Sequence, residues 1–319
     1  GTKTNRGERT IEGVIKINDN HPTKLLELSG TPFNLLSDYE EKEIYTWDYV
    51  MEQSAKLEWE VNHDGDYNPY EDLPQMNILT YDLNKQFGNY IDVGDKSFNF
   101  REFFRTWTGV TETDRKEMPE GVKKGDFVHE SDVRKFLDLL VLDNNTTNYP
   151  YSKEKYREYF RHSLWMIPGV KEAKALSKLL REHSVFGSGV FKIVNVAGDG
   201  DEEDTQKSKQ LVDSAITNHP EETYTITLSC GRLTTGVSIP AWSAVFMLNG
   251  GNSTSASSYL QTIFRVQTPA NIGGKMKDKC YVFDFAPDRA LKMLAEAGQL
   301  SCKPGSVESK TKMGDLLNF

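Results

Sequence analysis

The chain has 319 residues, 37% of them hydrophobic and 27% charged, which suffices for two domains and a packed core without disulfides or structural metals. Its net charge of -9 argues against a protein that coats DNA with a basic surface. No apolar run approaches the roughly 20 residues of a membrane span, and the N-terminus "GTKTNRGERTIEG" lacks the apolar core of a secretory signal. Three widely spaced cysteines indicate neither a disulfide framework nor a metal pair, so we expect a reducing cytoplasm.

The N-terminal third is predicted to contain two short strands and one helix. The segment "TKLLELSG", Thr23 to Gly30, is predicted to be a strand that ends before Pro32. Good helix formers run from Val50 to Val61, and "LPQMNILTYDL" is typical of a short buried strand. The acidic stretch "DGDYNPYED" between them begins like a calcium loop, but Pro69 and Gln75 occupy its sixth and twelfth positions, which favours a solvated loop.

Residues from about 84 to 149 are less regular. The segment "FNFREFFRTW" is interpreted as a packed connector, with single-stranded nucleic-acid binding through Arg101, Arg105 and Trp107 as the alternative. The segment "SDVRKFLDLLVLD" predicts a helix capped by Ser131, and "NNTTNYPYS" has the composition of a linker. We place the main domain boundary at that linker.

From Tyr151 onward helices and strands alternate, a pattern that predicts a parallel sheet covered by helices. Five strands are predicted, namely "SLWMIP", "VFKIVNVAG", "TYTITLS", "SAVFMLN" and "KCYVFDF". Such doubly wound α/β sheets carry functional loops at the carboxyl ends of their strands. The loop "GRLTTGVSIP" follows the third strand and combines glycines, hydroxyls and a cation, the groups that approach a phosphate closely. A plain turn-rich connection is the alternative interpretation.

Four segments in order, from Lys24 to Pro269, resemble motifs of superfamily 2 helicases and translocases, especially the motors of type I and type III restriction enzymes. "LLELSGTPF" resembles motif III, "LWMIPGVKEAKAL" motif IV, "TITLSCGRLTTGVSIPAWSAVFML" motif V and "YLQTIFRVQTP" motif VI. The resemblance implies a RecA-like parallel sheet flanked by helices, with a complete second RecA-like domain and the end of a first one. It divides the chain into residues 1–90, the end of the first domain, 91–150, a connector, 151–300, the second domain, and 301–319, the start of a following segment.

The resemblance also implies residue roles in an ATP-dependent DNA motor. Arg265 would be the arginine finger on the γ-phosphate, assisted by Gln261, and Gly236 and Ser238 would lie near the nucleotide. Ser29 and Thr31 would couple nucleotide state to domain movement. The residues implied in gripping the DNA backbone are Thr234, Thr235, Arg232 and Gly169. The alternative for Arg265 is a surface arginine whose stem covers the apolar helix face.

Three departures from the family pattern stand out. Motif VI normally has a second arginine where this chain has Thr268, so either one finger suffices or Arg232 or Arg289 substitutes. Motif V usually has Asp where this chain has Ser238. No Gly-x-x-x-x-Gly-Lys-Ser/Thr and no convincing Asp-Glu-x-His are present.

The missing phosphate-binding elements predict that this chain is the C-terminal part of a longer motor, with ATP and Mg²⁺ held mainly by an N-terminal part. The isolated chain is therefore expected not to hydrolyse ATP. The implied partners are the double-stranded DNA backbone and nuclease and methylation or specificity domains. The alternatives are a non-catalytic α/β interaction module derived from such a motor, and an RNA helicase. No metal site of the chain's own is predicted, and Asp284 in "VFDFAP" is interpreted as the end of the last core strand.

Overall fold

The computed structural model describes residues 26–30, 39–91, 97–144, 148–198, 202–231, 233–234, 237–251 and 254–297. The chain divides into two units, residues 1–32 and 33–319. In the first unit, residues 26–30 are irregular and exposed, so the strand predicted over Thr23 to Gly30 is absent from its described part. The Leu26 and Leu28 side chains are open to solvent, and a strand needs a paired neighbour and a covered face to be stable. Of the two motif III residues with an implied role, Ser29 and Thr31, Thr31 lies outside the described residues.

The second unit alternates helices and strands, as the sequence pattern predicted. Its α-helices are α1 Tyr49–Asn62, α2 Phe100–Phe103, α3 Glu112–Glu117, α4 Glu130–Val141, α5 Glu154–Tyr159, α6 Val170–Glu182, α7 Glu202–Ile216, α8 Ala256–Ile263 and α9 Pro287–Ala297. Its strands are β1 Gln75–Thr80, β2 His162–Met166, β3 Phe191–Asn195, β4 Tyr224–Ser229, β5 Ala244–Met247, β6 Asn271–Ile272, β7 Lys275–Met276 and β8 Lys279–Asp284. None of the helices in these described ranges is both long and apolar enough to cross a bilayer.

Six strands form one parallel sheet in the order β1-β8-β5-β2-β4-β3. Helices pack on the sheet, and this architecture confirms the predicted fold class. The sheet has one strand more than the five predicted from Tyr151 onward, because β1 pairs with β8 from Gln75 opposite Lys279 to Thr80 opposite Asp284. A strand from the segment assigned to a first domain thus completes the sheet of the predicted second domain. The boundaries at residues 90 and 150 stay a prediction.

Alternating side chains of the strands build a separate core on each face of the sheet. Trp165, Phe246 and Phe283 belong to one core, while their neighbours Leu164 and Val245 belong to the other. Every residue of β2 and β5 is buried, which is typical of central parallel strands covered on both faces. The first core includes one face of α6, whose residues recur in the sequence at helical spacing, namely Ala173, Leu176, Leu179 and Leu180. The second core includes α8 through Tyr259, Leu260 and Ile263.

The aromatic segment "FNFREFFRTW" is part of the first core, as the connector interpretation predicted. Phe98, Phe100, Phe103 and Phe104 are buried and contact one another edge-on or tilted. The Arg105 guanidinium is bound to the Glu102 carboxylate at 2.9 Å. The described aromatic rings of this segment therefore stabilise the fold, and their burial prevents nucleic-acid bases from stacking on them.

Two local predictions in this region are wrong. The segment predicted to be a linker contains Tyr151, which is fully buried, and its hydroxyl lies 2.8 Å from the Ser163 hydroxyl in β2. Its polar composition concealed a tyrosine that fills the core. The N-cap position of helix α4 is His129 and not Ser131, and the His129 side chain makes no capping hydrogen bond. Glu130 already lies in the first turn, where the helix dipole favours acids.

Candidate functional site

The predicted DNA-contacting residues follow two neighbouring strands. Gly169 is the N-cap of α6 after β2, and Thr234 lies in the loop after β4. Because β2 and β4 pair in parallel, both loops begin at the carboxyl edge of the sheet. The structure thus brings these two predicted residues to the same edge.

The turn that carries Thr234 is closed by its own hydrogen bonds. The Thr234 hydroxyl donates to the carbonyl oxygen of Gly231 at 2.6 Å. Leu233 has a φ of 66°, a conformation that is unfavourable for a branched side chain, and it is buried. Burial of Leu233 therefore anchors the turn, while the Thr234 donor is already occupied.

Arg265 lies beyond the end of α8, in a 3-10 turn, Phe264–Gln267, where the helix predicted over motif VI tightens. Its Nε donates to the carbonyl oxygen of Gln261 at 3.1 Å, and its Nη1 donates to the carbonyl oxygen of Val237 at 2.7 Å. The guanidinium is half-buried, and desolvation lowers the pKa of Arg265. Within the described residues it forms no ion pair with a carboxylate.

The Arg265 contact brings motif VI against the middle of the motif V loop. Residues 230–243 run from the carboxyl end of β4 to the start of β5, and Val237 lies midway along them. Ser238 follows directly and is exposed. Gln261 is one helical turn before Arg265 on α8, and its side-chain amide donates to the Ser257 hydroxyl at 3.4 Å. Three predicted nucleotide-site residues, Ser238, Gln261 and Arg265, are therefore neighbours in the fold.

Thr268 stands where motif VI normally has its second arginine, and its side chain folds back on the turn. The Thr268 hydroxyl donates to the Arg265 carbonyl oxygen at 3.4 Å. The adjacent Gln267 amide donates to the Glu52 carboxylate of α1 at 3.2 Å, and burial raises the pKa of Glu52. Helix α1 thus contacts the motif VI turn, a relationship that the sequence patterns did not indicate.

Of the two arginines proposed as substitutes, Arg289 is fully buried. Its Nη2 is 2.5 Å from the Asp284 carboxylate, which also accepts from the Tyr259 hydroxyl at 3.0 Å. Arg289 also donates to the carbonyl oxygens of Met247 and Asn249. This arginine stabilises the end of β8 and does not reach solvent, which confirms the structural interpretation of Asp284.

Other predicted site residues lie outside the described residues, namely Thr31, Arg232, Thr235 and Gly236. Ser29, predicted to couple nucleotide state to domain movement, is exposed in the first unit. Its role stays a prediction.

Sequence reasoning missed Lys277, between β7 and β8. Its ammonium group donates to three backbone carbonyl oxygens, those of Pro240, Trp242 and Val266, each at 2.9 Å. The surrounding sequence, "GGKMKDKC", looks like an ordinary lysine-rich turn, so no local signal distinguished this buried lysine from its exposed neighbours.

Comparison with known proteins adds one sequence relative. No protein-family model matches the chain. A protein of Mycoplasma pneumoniae, described as "Putative type II restriction enzyme and methyltransferase", C-terminus, is 32% identical over 292 residues. The match covers 86% of this chain and 38% of the relative, so the chain spans well under half of the relative's length.

Matches among solved structures include three with TM-scores of 0.31 to 0.37. The C-terminal part of the Fun30 ATPase domain is 13% identical, with a TM-score of 0.31, and the match covers 59% of this chain and 50% of that one. The DNA-bound type ISP restriction-modification enzyme LlaBIII is 14% identical, with a TM-score of 0.37, and the match covers 78% of this chain and 17% of that one. Domain 2 of the DEAD-box helicase Mss116p, bound to an RNA duplex, is 11% identical, with a TM-score of 0.35, and the match covers 77% of this chain and 70% of that one.

The fold places the chain among parallel α/β proteins with helices on the sheet. The sequence relative confirms the predicted resemblance to restriction enzymes.

Proposed function

We propose that the chain is the second RecA-like half of an ATP-dependent DNA translocase in a restriction-modification enzyme. The similarity to a restriction enzyme and methyltransferase supports this class of protein. The order of the four motif-like segments supports the assignment to the motor part. Nuclease and methylation or specificity domains are the proposed partners of this half.

The position of Arg265 is the observation that carries the proposal. A guanidinium has five N–H donors, and two hydrogen bonds to the carbonyl oxygens of Gln261 and Val237 fix its orientation. Its charge is partly desolvated and has no carboxylate partner among the described residues. An oriented, partly desolvated cation suits a phosphate group, because its interaction with an anion is weakly screened.

In the proposed mechanism, Arg265 contacts the γ-phosphate of ATP held by another part of the polypeptide. It stabilises charge on the transferring phosphoryl group, an effect worth roughly 10³ to 10⁵ in rate in known systems. Ser238 and Gln261 offer a hydroxyl and an amide beside it, which can hydrogen-bond the nucleotide.

The donor set around Arg265 fits phosphate and does not fit a magnesium ion, which requires carboxylate, phosphate or water oxygens. Mg²⁺ would therefore bind elsewhere, together with the ATP phosphates, and would supply neutralising positive charge there. What this chain supplies is the arginine and the surface that closes on the nucleotide.

Contacts with DNA are proposed at the carboxyl edge of the sheet, through the Gly169 and Thr234 loops. A helix N-terminus and short hydroxyl side chains bind phosphates without adding net charge, which is compatible with the acidic composition. Such contacts position the protein on the backbone and carry no base sequence.

The test uses the product of the complete reading frame that contains this chain. ATP hydrolysis is measured with duplex DNA, duplex RNA or no nucleic acid, and movement along DNA is measured by displacement of a triplex-forming oligonucleotide. The proposal predicts DNA-stimulated hydrolysis and displacement. Stimulation by RNA alone would indicate an RNA helicase, and a folded product without hydrolysis would indicate the non-catalytic module; either result contradicts the proposal.

A further inference from the structure

Lys277 is a buried cation that joins two segments of the candidate site. Only 7% of the residue is exposed. Its ammonium group donates at 2.9 Å to the carbonyl oxygens of Pro240, Trp242 and Val266, which uses all three of its N–H groups. Its own backbone N–H donates to the Ala270 carbonyl at 2.8 Å, which fixes the turn that presents it.

This lysine is unusual because its charge is buried with neutral partners. No ion pair to a carboxylate is seen for it among the described residues. Desolvation lowers the pKa of Lys277 to about 8, because burial destabilises the charged ammonium form relative to the neutral amine. If the side chain at this position only filled space, a methionine or leucine would fill it without the desolvation penalty of a buried charge.

The three acceptors belong to the two segments that Arg265 also joins. Pro240 and Trp242 end the motif V loop, three and five residues after Val237, whose carbonyl accepts from Arg265. Val266 is the residue after Arg265 in the 3-10 turn. The loop and the turn are therefore connected twice, once through the Arg265 guanidinium and once through the Lys277 ammonium.

We propose that Lys277 is a positioning residue for Arg265: by tying the Val266 carbonyl to those of Pro240 and Trp242, it holds the motif VI turn against the motif V loop. This inference rests on the proposed function for its catalytic consequence. When the other N–H groups of Arg265 contact a phosphate, the Lys277 bonds keep the turn in place. Lys277 itself touches neither nucleotide nor DNA.

The kinetic test uses the complete reading-frame product with Lys277→Met, Lys277→Arg, Arg265→Ala, the double change Arg265→Ala with Lys277→Met, and Lys275→Met as an exposed control. Lys277→Met is expected to lower kcat for ATP about ten- to a hundredfold with little change in KM, because a misplaced finger loses transition-state contact. Lys277→Arg, which keeps donors and charge, is expected to fall between Lys277→Met and the unmodified protein. Lys275→Met is expected to leave kcat unchanged.

Non-additivity distinguishes positioning from general destabilisation. In the Arg265→Ala background, Lys277→Met is expected to cause no further loss of kcat, since the group that it positions is gone. Full additivity in the double variant, or an unchanged kcat in Lys277→Met, would overturn the inference.

A second readout does not depend on ATP hydrolysis. Amide hydrogen exchange is expected to speed up at residues 237–242 and 264–268 in Lys277→Met, and not in Lys275→Met. If the unmodified product hydrolyses no ATP, the proposed function fails while this exchange pattern still tests the clamp. If the product hydrolyses ATP and neither exchange nor kcat changes, the clamp fails and the proposed function stands.

Discussion

The Arg265 Nη1 donates a 2.7 Å hydrogen bond to the carbonyl oxygen of Val237, and so joins motif VI to motif V across 28 residues. This contact orients a half-buried cation at the middle of the loop that carries Ser238. Two backbone carbonyl oxygens hold Arg265, and among the described residues no hydrogen bond engages its other N–H groups, which can therefore bind a phosphate.

Thr268→Ala is predicted to change kcat for ATP hydrolysis by no more than about tenfold, since a neutral hydroxyl contributes only about 0.5–1.5 kcal/mol even when bonded. The Thr268 hydroxyl contacts the Arg265 carbonyl and carries no charge for a phosphate. Steady-state kinetics of the complete reading-frame product provide the measurement. A loss comparable to that of Arg265→Ala would show that Thr268 does more than support the turn.

Thr234→Val is predicted to weaken DNA binding by roughly three- to tenfold, equally for all base sequences, because the turn that the Thr234 hydroxyl closes onto the Gly231 carbonyl loosens where it would meet the phosphate backbone. The slope of log Kd against log salt should stay the same, because no charge is lost.

Arg232→Ala is predicted to weaken binding as well, but also to reduce the salt slope by about 1, since one phosphate contact with counterion release is removed. Fluorescence anisotropy over a range of salt concentrations measures both variants. A changed salt slope for Thr234→Val, or an unchanged one for Arg232→Ala, would contradict the assigned DNA contacts.

Asp284→Asn is predicted to lower the free energy of unfolding by about 3–5 kcal/mol, because it leaves the Arg289 charge buried without a counter-ion. Asp284 also accepts from the Ala286 backbone N–H at 2.8 Å, so the change weakens the link between β8 and α9. Urea unfolding measures the loss, and Asp288→Asn, on the exposed side of the same helix, serves as the control. A loss below about 1 kcal/mol for Asp284→Asn would mean that the ion pair contributes little to the fold.

The burial of His162 predicts that the free energy of unfolding decreases in acid. Its Nε2 donates to the Pro220 carbonyl at 2.8 Å, its Nδ1 lies 2.9 Å from the Thr225 hydroxyl, and burial lowers its pKa from 6.5 to about 4. Because the folded pKa lies below the unfolded value, its contribution to stability is complete above pH 6.5 and is lost as pH falls through 4. The free energy of unfolding that is lost over this pH range through protonation of His162 is about 3 kcal/mol.

Unfolding free energies measured between pH 7 and pH 4 test this sign. His162→Gln is predicted to be less stable at pH 7 but to lose less stability over that range than the unmodified protein. Equal pH dependence of His162→Gln and the unmodified protein would contradict the assignment.

Much of the fold was predictable because the relevant signals are local. The periodicity of Ala173, Leu176, Leu179 and Leu180 gave both the helix and its buried face. The order of strands in the sheet was less accessible, since the pairing of β1 with β8 joins residues about 200 positions apart and has no local signature. The burial of Tyr151 was hidden for the same reason, in a segment of polar composition.

Site residues were assigned from the sequence only where motif-like segments exist. The resemblance to motif VI indicated Gln261 and Arg265, and the loop "GRLTTGVSIP" indicated a phosphate-binding segment. Lys277 and Glu52 reach the motif VI turn from distant segments through backbone carbonyls and an amide. Such contacts depend on the folded backbone and leave no pattern in neighbouring residues.

The most direct measurement is single-turnover ATP hydrolysis by the complete reading-frame product with Arg265→Ala, in the presence of saturating duplex DNA. We predict that the rate constant falls by roughly 10³-fold or more and that Arg265→Lys recovers little of the loss, because lysine lacks the planar fork. Arg115→Ala, at an exposed position, should have no effect. An Arg265→Ala protein that binds ATP and hydrolyses it at the unmodified rate would contradict the central claim.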